Sequence, residues 1–186
     1  MRSRFTFVLV ALLVTAAILI AGCGGDAGQA EQDIQAGDAA VAKVQPASKQ
    51  LSAEVSSLFN GVFAGGKVDP VTFQKDAAAV RTDANKVLAG TAAAKSEYAK
   101  VKGLTGVAGY KEYASLQAQI VDLNDSGLKV LVAFVDKWSP AIAQASFDPV
   151  AFVGAAKELS TQSEAIATQI EKLQAQAAAL KKAQKL

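Results

Sequence analysis

Ser126 and Lys129 stand one helical turn apart, a spacing at which a lysine amine can activate a serine hydroxyl as a nucleophile. No K-T-G or S-D-N element accompanies the pair. Asp125 and Lys129 also form the i,i+4 pair of a solvated helix face, so no catalytic residue is assigned. Asp122 and Asp125 put two carboxylates one turn apart, half of what a divalent cation would need. Inward-facing di-metal sites in helical bundles add Glu-x-x-His pairs, and this chain has no histidine. With Leu123 as the core position, the two aspartates read as polar surface. Cys23 is the only cysteine and Met1 the only methionine. Structural zinc, copper and haem ligation and His-dependent catalysis therefore lack their ligands and bases, and we assign no metal and no cofactor. Gly103, Gly106 and Gly109 precede a helix start, but neither the lysine nor the strand of a phosphate-binding loop is present. They read as an interhelical turn.

The elements that carry these residues are helices. From about residue 30 the chain is rich in Ala, Gln, Lys and Glu, with apolar residues spaced three and four apart. Helix 1 carries Val41, Val44, Ser48, Leu51, Val55, Leu58 and Val62 on one stripe, and Pro46 either starts or kinks it. Helix 2 opens at Asp69-Pro70, a cap followed by proline at the first helical position. Its stripe runs Phe73, Ala77, Val80, Ala84, Val87, Thr91, Ala94, Tyr98 and Val101. Helix 3 carries Tyr113, Leu116, Ile120, Leu123, Gly127, Val130 and Phe134, and Ser139-Pro140 ends or bends it. A second stripe of Val121, Leu128, Leu131, Val135 and Trp138 widens its apolar face. Helix 4 opens at Asp148-Pro149 and repeats Phe152, Leu159, Ile166, Leu173 and Leu180 every seven residues, interleaved with Ala156, Ser163, Ile170 and Ala177. The many Ala, Ser and Gly seam positions call for close helix approach.

Val68-Asp69-Pro70-Val71-Thr72-Phe73 returns as Phe147-Asp148-Pro149-Val150-Ala151-Phe152. A duplicated helical hairpin would produce this, as would two independent Asp-Pro helix starts. The fold class is all-α, an up-down-up-down four-helix bundle. The same heptads could close within one chain or between chains.

The first residues have a separate logic. Met1-Arg2-Ser3-Arg4 is a positive n-region, Phe5 to Leu19 an apolar run shorter than a membrane span, and Ile20-Ala21-Gly22-Cys23 closes it. An uncleaved anchor or an ordinary signal peptide would not require cysteine there. This stretch resembles the lipobox of bacterial lipoproteins. The resemblance implies cleavage before Cys23, diacylglycerol on its thiol and an extracytoplasmic, membrane-held protein. Gly24 after the cysteine would favour the outer membrane in a diderm, and a monoderm offers only its cytoplasmic membrane. Murein-linked lipoprotein ends in the lysine that carries its covalent link, whereas this chain ends Lys185-Leu186.

Three segments follow: a signal peptide over 1–22, a lipidated flexible tether over 23–29 with Gly24-Gly25-Asp26-Ala27-Gly28, and a bundle over 30–186. Removing Arg2 and Arg4 turns 19 basic and 17 acidic residues into 17 of each, so the mature chain is neutral and no nucleic-acid partner is expected. The expected role is a non-enzymatic, lipid-anchored binding or scaffolding module of the cell envelope, with an envelope protein as partner. Leu128, Leu131, Phe134, Val135 and Trp138 form an apolar face that could meet such a partner. Alternatively, a small apolar ligand could be carried between the helices near Phe134 and Trp138. The bland reading of that face is that helix 3 is simply the most buried.

Overall fold

Residues 26–63 and 68–184 are described by a computed structural model, and almost all of them are helical. The order is α1 (Asp26–Phe63), α2 (Pro70–Lys100), a 3-10 turn (Val101–Gly103), α3 (Ala108–Ala141) and α4 (Pro149–Gln184). At 1.5 Å per residue the longest, α1, is about 57 Å long. The lipobox, the signal segment and Cys23 lie outside the described residues, as does the side chain of Val62.

Cross-links at both ends of each pair make consecutive helices antiparallel. Tyr98 reaches Asp38 while Ser57 reaches Asp76, which fixes α1 against α2. Arg81 pairs with Asp136 and Lys95 with Asp122, which fixes α2 against α3. Trp138 meets Phe152 and Lys181 lies over Tyr113, which fixes α3 against α4. The fold is an all-α, up-and-down four-helix bundle. Among backbones, α1 also approaches α3, whereas α4 comes close only to α3.

Local chemistry explains the helix boundaries. The Asp69 carboxylate accepts the backbone N–H of Thr72 at 3.0 Å and its hydroxyl at 2.5 Å. Asp148 accepts the N–H groups of Val150 and Ala151 at 2.9 and 3.2 Å. Both Asp-Pro starts therefore work as N-caps. They lie at the same end of the bundle with Phe73 and Phe152 in edge contact, ring centres 5.5 Å apart, as a duplicated hairpin would place them. Pro46 neither starts nor ends a helix. It sits inside α1 on an exposed position, where its missing N–H leaves a carbonyl next to water. Pro140 falls in the last turn of α3, and Ile142 donates back to the Trp138 carbonyl at 3.0 Å to close the end.

Helix α1 corrects one boundary. Asp26 to Gln29, read as part of a flexible tether, are helical. Asp26 accepts hydrogen bonds from the Thr105 hydroxyl (2.7 Å) and backbone N–H, which docks the start of α1 onto the turn between α2 and α3. That turn uses Gly106 at φ 69°, a left-handed conformation suited to glycine. Gly109 lies inside α3 and breaks nothing.

The core has two parts along the axis. One gathers Leu51, Leu58, Phe73, Val80, Phe134 and Phe152 with their neighbours at the end where α2 and α4 begin. The other gathers Ile34, Val41, Tyr98, Tyr113, Val121 and Ala177 at the end where α1 and α3 begin. The heptad line of α4 is buried at Phe152, Ala156, Leu159, Ile170 and Ala177, but Ile166, Leu173 and Leu180 are only half-buried. Ser160 and Ala167 are buried instead. An untwisted helix drifts about 20° per heptad from a strict seven-residue repeat, and α4 has one backbone neighbour to follow.

Candidate functional site

Between the two apolar clusters, α2 and α3 meet through a polar layer that sequence reading misplaced. Asp125, expected on the surface and paired with Lys129, is buried. Its Oδ1 accepts the hydroxyl of Thr91 at 2.7 Å, and its Oδ2 lies 3.8 Å from Lys95 Nζ. The same ammonium is 2.5 Å from Asp122 Oδ1. The hydrogen bond to Asp122, followed by the charges of Asp122 and Asp125, holds the Lys95 amine above its ordinary pKa. A lysine from the facing helix thus occupies the place a divalent cation would need. Asp122 itself is exposed, as expected. Leu123, taken as the core position, is half-buried, because α3 is rotated so that Asp125 and Val121 face inward.

This layer sets register between α2 and α3. Thr91→Val is expected to cost about 1–3 kcal/mol, since the Asp125 carboxylate would lose its buried donor. Adding Asp125→Leu should recover most of that loss, because replacing both partners leaves no orphaned polar group. Denaturant unfolding of the single and double variants checks this, and a double variant no better than the single would refute it.

A second polar cluster ties α1 to α2 and α4. Tyr98 is fully buried, and its hydroxyl donates to Asp38 Oδ1 at 2.7 Å. Burial raises the Asp38 carboxyl above its ordinary value, against the lowering effects of the Tyr98 bond and the Lys181 charge. Burial and the Asp38 charge push the Tyr98 phenol up as well. Because its folded pKa is raised, Asp38 contributes fully to stability only below about 3.8, and that contribution is lost as pH rises through the folded value. Asp38→Asn can still accept the Tyr98 bond. The variant should therefore gain on the parent as pH climbs from 3 to 7 in thermal melts, and a constant gap across that range would sink the assignment.

Two further carboxylates are partly unsatisfied. Asp83 is buried with Oδ1 on Lys86 at 2.5 Å, while its Oδ2 and Glu54 Oε2 have no hydrogen-bond partner. Sequence periodicity offered no signal for either.

Ser126 and Lys129 are exposed on α3, and their neighbour Asp125 is engaged with Thr91 and Lys95. Leu128, Leu131, Phe134, Val135 and Trp138, read as a free apolar contact face, are buried by the chain itself. Phe134 touches Phe59, Phe152 and Trp138 at ring-centre distances of 5.5, 5.6 and 6.4 Å. Trp138 meets Phe152 at 5.1 Å and Phe147 at 6.3 Å. The region near Phe134 and Trp138, where an apolar ligand was considered, is lined by these rings. The face is wide because three other helices cover it. Among the described residues, no helix is long and apolar enough to cross a membrane.

Charged residues from four segments gather at the end of the bundle where α1 begins. Asp26 and Glu31 belong to α1, Lys102 to the turn, Lys111 and the exposed Glu112 to α3, and Lys181 and Lys182 to the last turn of α4, so both signs are present. Asp26 is held below its ordinary pKa, first by the backbone and side-chain bonds from Thr105 and then by the Lys111 charge. Lys181 lies 5.8 Å from the centre of the Tyr113 ring. One turn inward, Lys100 and Glu97 neutralise each other at 2.6 Å. No protein-family model, curated protein or solved structure matches this chain.

Proposed function

We propose that this protein is a bacterial lipoprotein, held outside the cytoplasm by diacylglycerol on Cys23, whose helical body is a non-enzymatic scaffolding or binding module of the cell envelope. The observation that carries the reading is Ile20-Ala21-Gly22-Cys23 at the end of a signal-length apolar run, placed just before an independently cored bundle. The bundle supports it in two ways. Its two apolar clusters are built from its own side chains on all four helices. Its buried Asp125 and half-buried Asp38 are engaged in interhelical hydrogen bonds, which fits a rigid body working through its surface.

Intact mass and metabolic labelling with an alkyne fatty acid test the anchor. Protein from bacterial membranes should start at Cys23 with the lipid mass added. Cys23→Ala should lose the label completely and leave the signal segment uncleaved at that position. A wild-type chain with a free Cys23 thiol would overturn the anchor. Crosslinking in intact cells tests the scaffold: a reproducible envelope partner is expected, and a body that captures none would refute it.

A further inference from the structure

The two helical hairpins share one register but are covered differently. In the first, Gly37 stands level with Tyr98 and Val44 with Gly90. In the second, Gly127 stands level with Ile166 and Tyr113 with Lys181. Counted from the two Asp-Pro starts, this is the same pairing. Leu116, Leu123 and Val130 of α3 and Ile166, Leu173 and Leu180 of α4 thus correspond to Gly37, Val44, Leu51, Val87, Ala94 and Val101. All six positions are buried in the first hairpin. In the second, five are half-buried and Val130 is 37% exposed, although five of the six side chains are larger.

Helix spacing is the physical reason. Gly37 and Gly90 leave room for a facing side chain, whereas Leu116 and Gln169 stand in their places. Accordingly, α3 and α4 approach less closely along their length than α1 and α2. The six residues form an aliphatic strip along the outer edge of the α3–α4 seam, outside the buried Ile120, Ile170 and Ala177. At 1.5 Å per residue it is about 25 Å long. Three or four residues from its members, Gln119, Ser126, Gln162, Gln169 and Gln176 are exposed and uncharged. Charge stands at the ends, with Glu112 at one and Lys137 and Glu158 at the other, and at the flanks with Lys129 and Lys172. An apolar centre with a charged margin is the composition of a protein interface. The outer face of the α3–α4 pair is about 45 Å long and, with axes 8–10 Å apart, about 18 Å wide. That is roughly 800 Å², the area each partner contributes to a stable complex of standard size.

We infer that this strip is the interface between two copies of the chain, related by a twofold axis parallel to the bundle. In that arrangement α3 of each copy faces α4 of the other in antiparallel sense. The register puts Leu116 level with the gap between Leu173 and Leu180, and Leu123 level with the gap between Ile166 and Leu173. Each leucine of α3 therefore enters a gap in the α4 row of the other copy, as knobs enter holes. The axis also brings both Cys23 ends to one side, so that two anchors share one membrane. That orientation rests on the lipid-anchor reading, whereas the pairing of the strips does not.

The test uses the mature, lipidated protein in phosphatidylcholine vesicles. With the Cys23 thiol alkylated, Val150→Cys offers one free thiol for a nitroxide, on a side chain 80% exposed at the start of α4. Double electron–electron resonance should give an intermolecular distance below about 30 Å, two or three helix spacings. A twofold axis across the helices would instead separate the labels by more than about 50 Å. Val130→Lys should lower the dimer fraction about tenfold or more, because the symmetry buries the added charge twice. Thr82→Lys, on an exposed position of α2, should leave it unchanged. A chain monomeric at every protein-to-lipid ratio, a long label distance, or a dimer indifferent to Val130→Lys overturns the proposal with the anchor intact. A free Cys23 thiol by intact mass overturns the anchor reading instead. A dimer of that unlipidated chain in native mass spectrometry, lost with Val130→Lys, would still uphold the strip pairing.

Discussion

Phe152→Ala is expected to destabilise the bundle by about 3–5 kcal/mol. Phe152 is fully buried at the first turn of α4, where its ring centre lies 5.1–5.8 Å from those of Trp138, Phe73, Phe134 and Phe147. Its ring touches the other Asp-Pro-x-x-Phe segment and α3 at once. Truncation removes the transfer free energy of a phenyl group and leaves a cavity that the surrounding rings on α2, α3 and the loop before α4 cannot close. That is a large share of the roughly 5–15 kcal/mol that stabilises a domain of this size. Trp138 is the only tryptophan, so its fluorescence reports directly on the damaged cluster. The denaturant midpoint should fall while the slope stays near the parent value. Val150→Ala, two residues earlier on a side chain 80% exposed, should stay within about 0.5 kcal/mol. A Phe152→Ala midpoint as close to the parent as that of Val150→Ala would show that the cluster does not hold this end.

The second large effect is a change of sign among glycines. Glycine inside a helix ordinarily costs about 0.5–1 kcal/mol relative to alanine. Gly154→Ala should realise that gain, because an added methyl there meets open space. At Gly37 the methyl would overlap the Tyr98 ring, with Cδ1 and Cζ both 2.8 Å away. The ring cannot easily yield, since Tyr98 is buried and its hydroxyl is held by Asp38. At Gly90 the methyl would overlap a Val44 methyl, on a β-branched side chain with one strongly preferred helical rotamer. Overpacking costs of about 1–3 kcal/mol should outweigh the propensity gain at both sites. Thermal melts of the three variants should therefore move Gly154→Ala up and the other two down. A rise for Gly37→Ala would mean that α1 and α2 do not approach as closely there as the structure shows.

Much of the fold is legible along the chain because helix signals are local. Asp69-Pro70 and Asp148-Pro149 carry their own capping chemistry, and both helices start there. The stripe of α2 from Phe73 to Tyr98 is buried position by position, since a three-and-four spacing defines one face whatever covers it. Nothing local, however, says how many neighbours a face will have. The two stripes of α3 read equally well as a docking surface, and only the packing of the other three helices turned Phe134 and Trp138 into core.

The same limit explains the polar residues. Asp125 and Asp38 sit in sequence contexts that suit a solvated face. Their withdrawal from water, full for Asp125 and partial for Asp38, follows from the rotation of each helix and from partners 34 and 60 residues away, Thr91 and Tyr98. Glycine was ambiguous for a related reason: Gly37 and Gly90 make room for a facing helix, a role with no local signature. Composition and spacing alone excluded histidine and thiol chemistry from the body and set four helices with two Asp-Pro caps, while the resemblance of Ile20-Ala21-Gly22-Cys23 to a lipobox is what points to Cys23. Tertiary structure decided which charges are shielded from water, where α1 begins relative to Cys23, and which lysines share one end. Those are properties of distances between segments far apart in sequence, and no periodicity along a single helix records them.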